Sequence, residues 1–87
     1  MIDIRHLDSL SGMARAAVVV ALYGNSAVDR NKLKRRLREL VRVRMLPRIG
    51  PKDVLVRARR ETYEATFEQL AAAVESATDR IAGSERT

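Results

Sequence analysis

Residues 26–47 read SAVDRNKLKRRLRELVRVRMLP, and the spacing within this stretch decides what must surround it. Ser26 stands where an N-cap is wanted, with Asp29 three positions on, and a carboxylate in a first turn suits the positive end of a helix dipole. Leu33, Leu37, Leu40 and Val41 recur at i, i+4, i+7 and i+8. A helix opening after Ser26 therefore lays one apolar stripe on a core and runs to about Arg44, and Pro47 ends it. At about 100° per residue, Arg30, Lys34, Arg35, Arg38 and Arg42 fall on one flank of the leucine stripe, and Lys32 and Arg36 on the other. Glu39 is the only acid after Asp29 in this helix, so Arg35, four residues back, is its expected partner and the other cations have none.

Upstream, Gly24-Asn25 follows ARAAVVVAL, residues 14–22. Three consecutive valines in a continuous apolar run predict a strand buried on both faces, with a helix as the alternative that Ala and Leu leave open. Before it, Ile2, Ile4 and His6 alternate with Asp3, Arg5 and Leu7, the pattern of a short half-buried strand ending at the turn-prone Asp8-Ser9-Leu10-Ser11-Gly12. Downstream, Ile49-Gly50-Pro51 is a turn. Val54, Val56 and Ala58 then alternate with Asp53, Leu55, Arg57 and Arg59, giving a strand with one apolar and one basic face. Thr66 and Gln69 make a capping box for a second helix, whose stripe is Phe67, Leu70, Ala71, Val74, Ala77 and Ile81 and whose C-terminal cap is Gly83. The predicted order is β-β-α-β-α, an α+β fold with a small sheet of about three strands packed under two helices. A chain of 87 residues has material for one core, so residues 1–83 are expected to form a single domain and 84–87 a flexible tail.

The absence of cysteine excludes a disulfide scaffold, a thiolate zinc site and a cysteine nucleophile. The apolar run from Ala16 to Tyr23 is far shorter than the roughly 20 residues of a membrane span. Asp3 and Asp8 stand where an export signal would carry its basic and apolar parts. A soluble, cytoplasmic protein with no membrane partner is expected. Net charge is +6, but residues 30–60 alone hold 13 basic side chains against Glu39 and Asp53, while the flanking segments are net acidic. Such a segment repels itself, and a polyanion is its natural partner: nucleic acid first, then an anionic membrane surface or an acidic protein. Arg57 and Arg59 either extend this basic surface over the sheet or form the solvent side of a strand. Asn25 and Ser26, just ahead of the helix, add backbone N–H groups suited to phosphate, with capping as the structural role of Ser26.

Groups for catalysis are scarce. His6 is the one histidine, with no serine or cysteine constellation around it, and Glu68, Glu75 and Asp79 fall on the outer face of the last helix, where they serve solubility. The glycines form no phosphate-cradling pattern, and neither a protein-bound metal nor a small-molecule substrate is expected. Of three aromatic residues, Phe67 reads as core, while Tyr23 and Tyr63, flanking strands, are structural or surface stackers.

The run Arg30-Asn31-Lys32-Leu33-Lys34-Arg35-Arg36-Leu37-Arg38-Glu39 resembles the R-N-R-x-K-R-x-x-R-E signature of the bacterial ribonuclease P protein component. It matches at Arg30, Asn31, Lys34, Arg35, Arg38 and Glu39, with Lys32 as a basic substitute. The approach through Val18-Val19-Val20 to Gly24-Asn25-Ser26-Ala27-Val28, the strand from Asp53 to Arg59, and Thr66-Phe67-Glu68-Gln69-Leu70 are similar to further family segments in the same order. The resemblance covers roughly residues 16–80. It implies a small subunit that binds the catalytic ribonuclease P RNA and assists removal of the 5′ leader from precursor tRNA, within a ribonucleoprotein whose Mg²⁺ serves the RNA. It also implies a left-handed β-α-β crossover, against the usual hand. Arg30, Asn31, Lys32, Lys34, Arg35, Arg36, Arg38 and Arg42, with Arg57 and Arg59, are the RNA-binding residues expected on these grounds. Residues 1–13 depart from the family pattern, which begins with a further helix and a phenylalanine-bearing segment. Either the start is assigned late or the chain is a reduced member with a shortened N-terminus, and on the second reading a reduced grip on the leader and an exposed sheet edge are expected. The alternative function is a stand-alone basic RNA-binding or ribosome-associated module outside tRNA maturation.

Overall fold

β3, Lys52–Ala58, is the centre of the sheet, with β1 (Ile2–Asp8) on one side and β2 (Arg15–Val20) on the other. These elements belong to a computed structural model that describes residues 1–84. β1 runs antiparallel to β3, placing Ile4 opposite Val56 and Asp8 opposite Lys52, whereas β2 runs parallel, placing Val18 opposite Val56. Parallel neighbours need a crossover connection. It is supplied by α1 (Ala27–Leu40), a π-helical turn at Val41–Met45 and the turn that follows. A 3₁₀ turn at Arg60–Glu64 then leads into α2 (Phe67–Ser84). The expected β-β-α-β-α order and the three-strand, two-helix α+β architecture are what the chain adopts.

The leucine spacing of α1 does what its period requires: Leu33, Leu37 and Leu40 are buried, and Val41 and Met45 continue the stripe through the π turn. On β3 the alternate residues Val54, Val56 and Ala58 are buried, and Leu70, Val74, Ala77 and Ile81 of α2 close the core. Each buried valine, leucine, isoleucine or methionine side chain among these contributes about 1.5–3 kcal/mol, and each alanine less. Both caps form as their residue types dictate. Ser26 Oγ accepts the Asp29 N–H, and Thr66 and Gln69 make the reciprocal pair, the Thr66 N–H donating to Gln69 Oε1 at 2.9 Å and the Gln69 N–H to Thr66 Oγ1 at 3.1 Å.

Four expectations are corrected. β2 is not buried on both faces. It is an edge strand of a sheet covered by helices on one side, so Val20 is buried and Val18 half-buried, while Val19 is 45% exposed. Three valines in succession necessarily point to both faces, and here only one face is covered. Phe67 is not core but 53% exposed. It is the first residue of α2, and helical side chains lean toward the N-terminus, so it lies ahead of Leu70, the first buried residue of the helix. α1 stops at Leu40 and gives way to a wider turn in which the Leu46 N–H reaches back five residues to the Val41 carbonyl at 2.9 Å. Gly83 lies inside α2, which continues to Ser84, so the helix takes in the first residue of the expected tail; the rest of that tail is outside the described residues. The exposed edge is present: among the described residues β1 and β2 each pair on one side only.

Candidate nucleic-acid interface

Two groups stand out among the basic side chains. In the first, each cation meets a carboxylate. Arg44 donates to Glu75 at 2.6 Å and Arg48 to Asp79 at 2.5 Å, both from α2; Lys52 donates to Asp8 at 2.9 Å, Arg15 to Asp53 at 3.2 Å, and Arg59 to Asp3. The exposed pairs among these, all but the one that uses buried Lys52, add little stability each. Their effect is on the field, because each cancels a positive charge. Glu75 and Asp79 therefore do more than keep the last helix soluble: they neutralise the far end of the basic segment across a separation of 31 residues.

The second group is the body of α1. Arg30, Lys32, Lys34, Arg35, Arg36 and Arg38 have no carboxylate partner among the described residues. Glu39 does not pair with Arg35, as its spacing suggested, but with Arg42, whose guanidinium lies 2.5 Å away. An acid N-terminal to its base follows the helix dipole and the reverse order does not, which favours this choice. The bond from Arg42 holds the Glu39 carboxyl below the usual carboxylate range and keeps Arg42 the more firmly protonated. Arg59 and Lys52 likewise lower the Asp3 and Asp8 carboxyls.

The unpaired cations occupy both flanks of the leucine stripe. Arg35 and Arg38, with the Glu39–Arg42 pair, border a groove of about 320 Å³ against Ala16 and Val18 of β2. Lys32 and Arg36 border a smaller recess of about 220 Å³ against Thr62 and Tyr63 of the 3₁₀ turn. Asn31 is exposed; Arg30 and Lys34 are half-buried. Arg30 Nε is shut off from solvent and has no hydrogen-bond partner among the described residues, a position in which an N–H wants an acceptor.

Arg57 and Arg59 are not brought together with this surface. Arg57 lies opposite Asp3 and Val19 on the sheet face turned away from Val56 and Ala58, hence away from the helices, and Arg59 is engaged by Asp3. His6 is exposed on the edge strand, and among the described residues no three of His, Asp or Glu gather as a metal site requires. No helix of the described residues is long and apolar enough to cross a membrane.

The description Ribonuclease P belongs to the family model that matches residues 3–82, so β1, which the motif resemblance had left out, is part of the family pattern. A ribonuclease P protein component from Finegoldia magna is 38% identical over 67 residues, which are 77% of this chain and 58% of that protein. The chain thus spans less than three fifths of this curated relative's length. Among solved structures, the Staphylococcus aureus RNase P protein superposes with a TM-score of 0.75 at 28% identity, covering 86% of this chain and 69% of that one. The Thermotoga maritima RNase P protein superposes with a TM-score of 0.67 at 26% identity, covering 86% and 76%.

Proposed function

The chain belongs to the ribonuclease P protein family, and from that premise we propose that it binds ribonuclease P RNA through α1 and assists endonucleolytic removal of the 5′ leader from precursor tRNA in the cytoplasm. The observation that carries this reading is the unpaired row Arg30, Lys32, Lys34, Arg35, Arg36 and Arg38 on the helix that bears the family's signature. Six like charges three and four residues apart destabilise a bare helix, and phosphates relieve that repulsion.

Cleavage itself falls to the RNA. Phosphodiester hydrolysis needs an activated nucleophile and stabilisation of developing charge, which Mg²⁺ supplies when held by phosphate oxygens. Among the described residues the carboxylates do not fit that ion, since they are dispersed and five of them are already paired with arginine or lysine across the fold. The protein's part is to lower the repulsion between two polyanions, catalytic RNA and substrate.

Reconstitution tests this. The purified protein should leave precursor tRNA intact with any divalent metal, and should raise the rate of leader removal when added to a bacterial ribonuclease P RNA at low Mg²⁺. The pair Arg35→Ala and Arg38→Ala should reduce that stimulation, and His6→Ala should leave it unchanged. RNA binding without stimulation would instead make the chain a stand-alone RNA-binding module. Cleavage by the protein without RNA would return the chemistry to the protein.

A further inference from the structure

Tyr23 sits in a turn whose backbone does not favour it. The Asn25 N–H donates to the Leu22 carbonyl at 2.8 Å, and the two residues between, Tyr23 and Gly24, both have positive φ, 49° and 84°. Glycine adopts this conformation freely and a bulky aromatic residue rarely does. The ring nonetheless stays 41% exposed rather than entering the core, and the guanidinium of exposed Arg60 lies over it, 5.6 Å from its centroid. Tyr63, from the same 3₁₀ turn as Arg60, donates its hydroxyl to the Ala21 carbonyl and ties that turn to the end of the β2 segment. The Arg60 guanidinium is thus a cation over the ring, three residues ahead of the α1 cap at Ser26. The 3₁₀ turn that carries Arg60 also carries Glu61 and Glu64, and Glu61 is engaged by the terminal ammonium at 3.5 Å.

We propose that Tyr23 and Arg60 form a nucleobase-stacking subsite for single-stranded RNA, in which an unpaired base extends the stack while neighbouring phosphates meet Arg60 and the cations of α1. Every base has a π-face, and both aromatic rings and guanidinium planes accept it, so such a site holds an unpaired nucleotide without reading its identity. The subsite rests on α1 as the phosphate-binding surface, but the two fail separately in the following experiment.

The chain has no tryptophan and two tyrosines, so in a Tyr63→Phe background the emission of Tyr23 reports on its own ring. Two probes are titrated: a short oligoadenylate and an abasic ribose-phosphate oligomer of the same length. Oligoadenylate should quench Tyr23 emission to saturation, and the abasic oligomer should bind without quenching. Tyr23→Gly, which removes the ring and suits the positive φ, should weaken oligoadenylate binding about five- to hundredfold, the range for loss of one stacked base. It should leave the abasic affinity and the helical circular dichroism unchanged, and Tyr23→Phe should keep most of the affinity. If oligoadenylate binds without quenching, or Tyr23→Gly changes neither affinity, the Tyr23–Arg60 pair is only a structural staple and the subsite is overturned, while α1 stands. If oligoadenylate quenches and the abasic oligomer fails to bind, the subsite stands and the α1 reading falls.

Discussion

Leu37 and Arg38 are adjacent in the chain and take opposite parts, one fully buried and the other exposed on the flank that faces the β2 groove. Substituting each separates stability from binding. Leu37→Ala should cost about 2–5 kcal/mol, the range for deleting a buried leucine side chain, measured by urea unfolding. Arg38→Ala should leave the unfolding midpoint close to that of the parent and weaken RNA affinity in a direct titration. The inward residue was legible because apolar period and helical period coincide. The ionic partner was not: Arg35 and Arg42 both stand within one turn of Glu39, and the choice follows from dipole direction and the geometry of the chain after Leu40. Phe67 departs from its expected place for a related reason, since a stripe drawn on a helical wheel says nothing of where along its axis the helix becomes covered.

At the scale of elements, local chemistry carried most of the information. Both N-caps are where Ser26 and Thr66 put them, because a side-chain oxygen at that position reaches backbone N–H groups within three residues and needs no tertiary partner. Thr66→Ala should therefore cost about 1 kcal/mol, read as a lowered thermal midpoint, with the RNA affinity of α1 unaltered. β2 shows the limit of such reading. Its valines specify an extended conformation but not its place in the sheet, and edge position together with one uncovered face turned an expected interior strand into an exposed one.

For the whole molecule, two responses follow from the distribution of charge. If α1 makes on the order of five phosphate contacts, affinity for ribonuclease P RNA should fall about a hundredfold or more between 50 and 200 mM salt. A flat salt response would remove the phosphate-contact model. The second response is to acid. Asp3, Asp8 and Glu39 all have their carboxyls lowered in the folded chain by hydrogen bonds from Arg59, Lys52 and Arg42. A lowered folded value means that the unfolded chain binds protons first, so the stability from these pairs is present above about pH 4 and is lost as pH falls through the folded values. Urea midpoints should be level near neutrality and drop below about pH 4, and Asp3→Asn with Asp8→Asn should make that drop shallower.

The sequence by itself determined where the helices start and their N-caps, most of the apolar stripes, the order of elements and the signature of α1, because each depends on residues within a turn or two of one another. Tertiary structure decided which cations stay available. Arg44, Arg48, Lys52 and Arg59 belong to the same basic segment as Arg35 and Arg38, yet their charges are cancelled by Glu75, Asp79, Asp8 and Asp3, residues 31 to 56 positions away. A charge count along the chain cannot see that cancellation. Coulomb attraction depends on distance in space, and only the packing of α2 and β1 against the sheet and the π turn brings those carboxylates within hydrogen-bond reach.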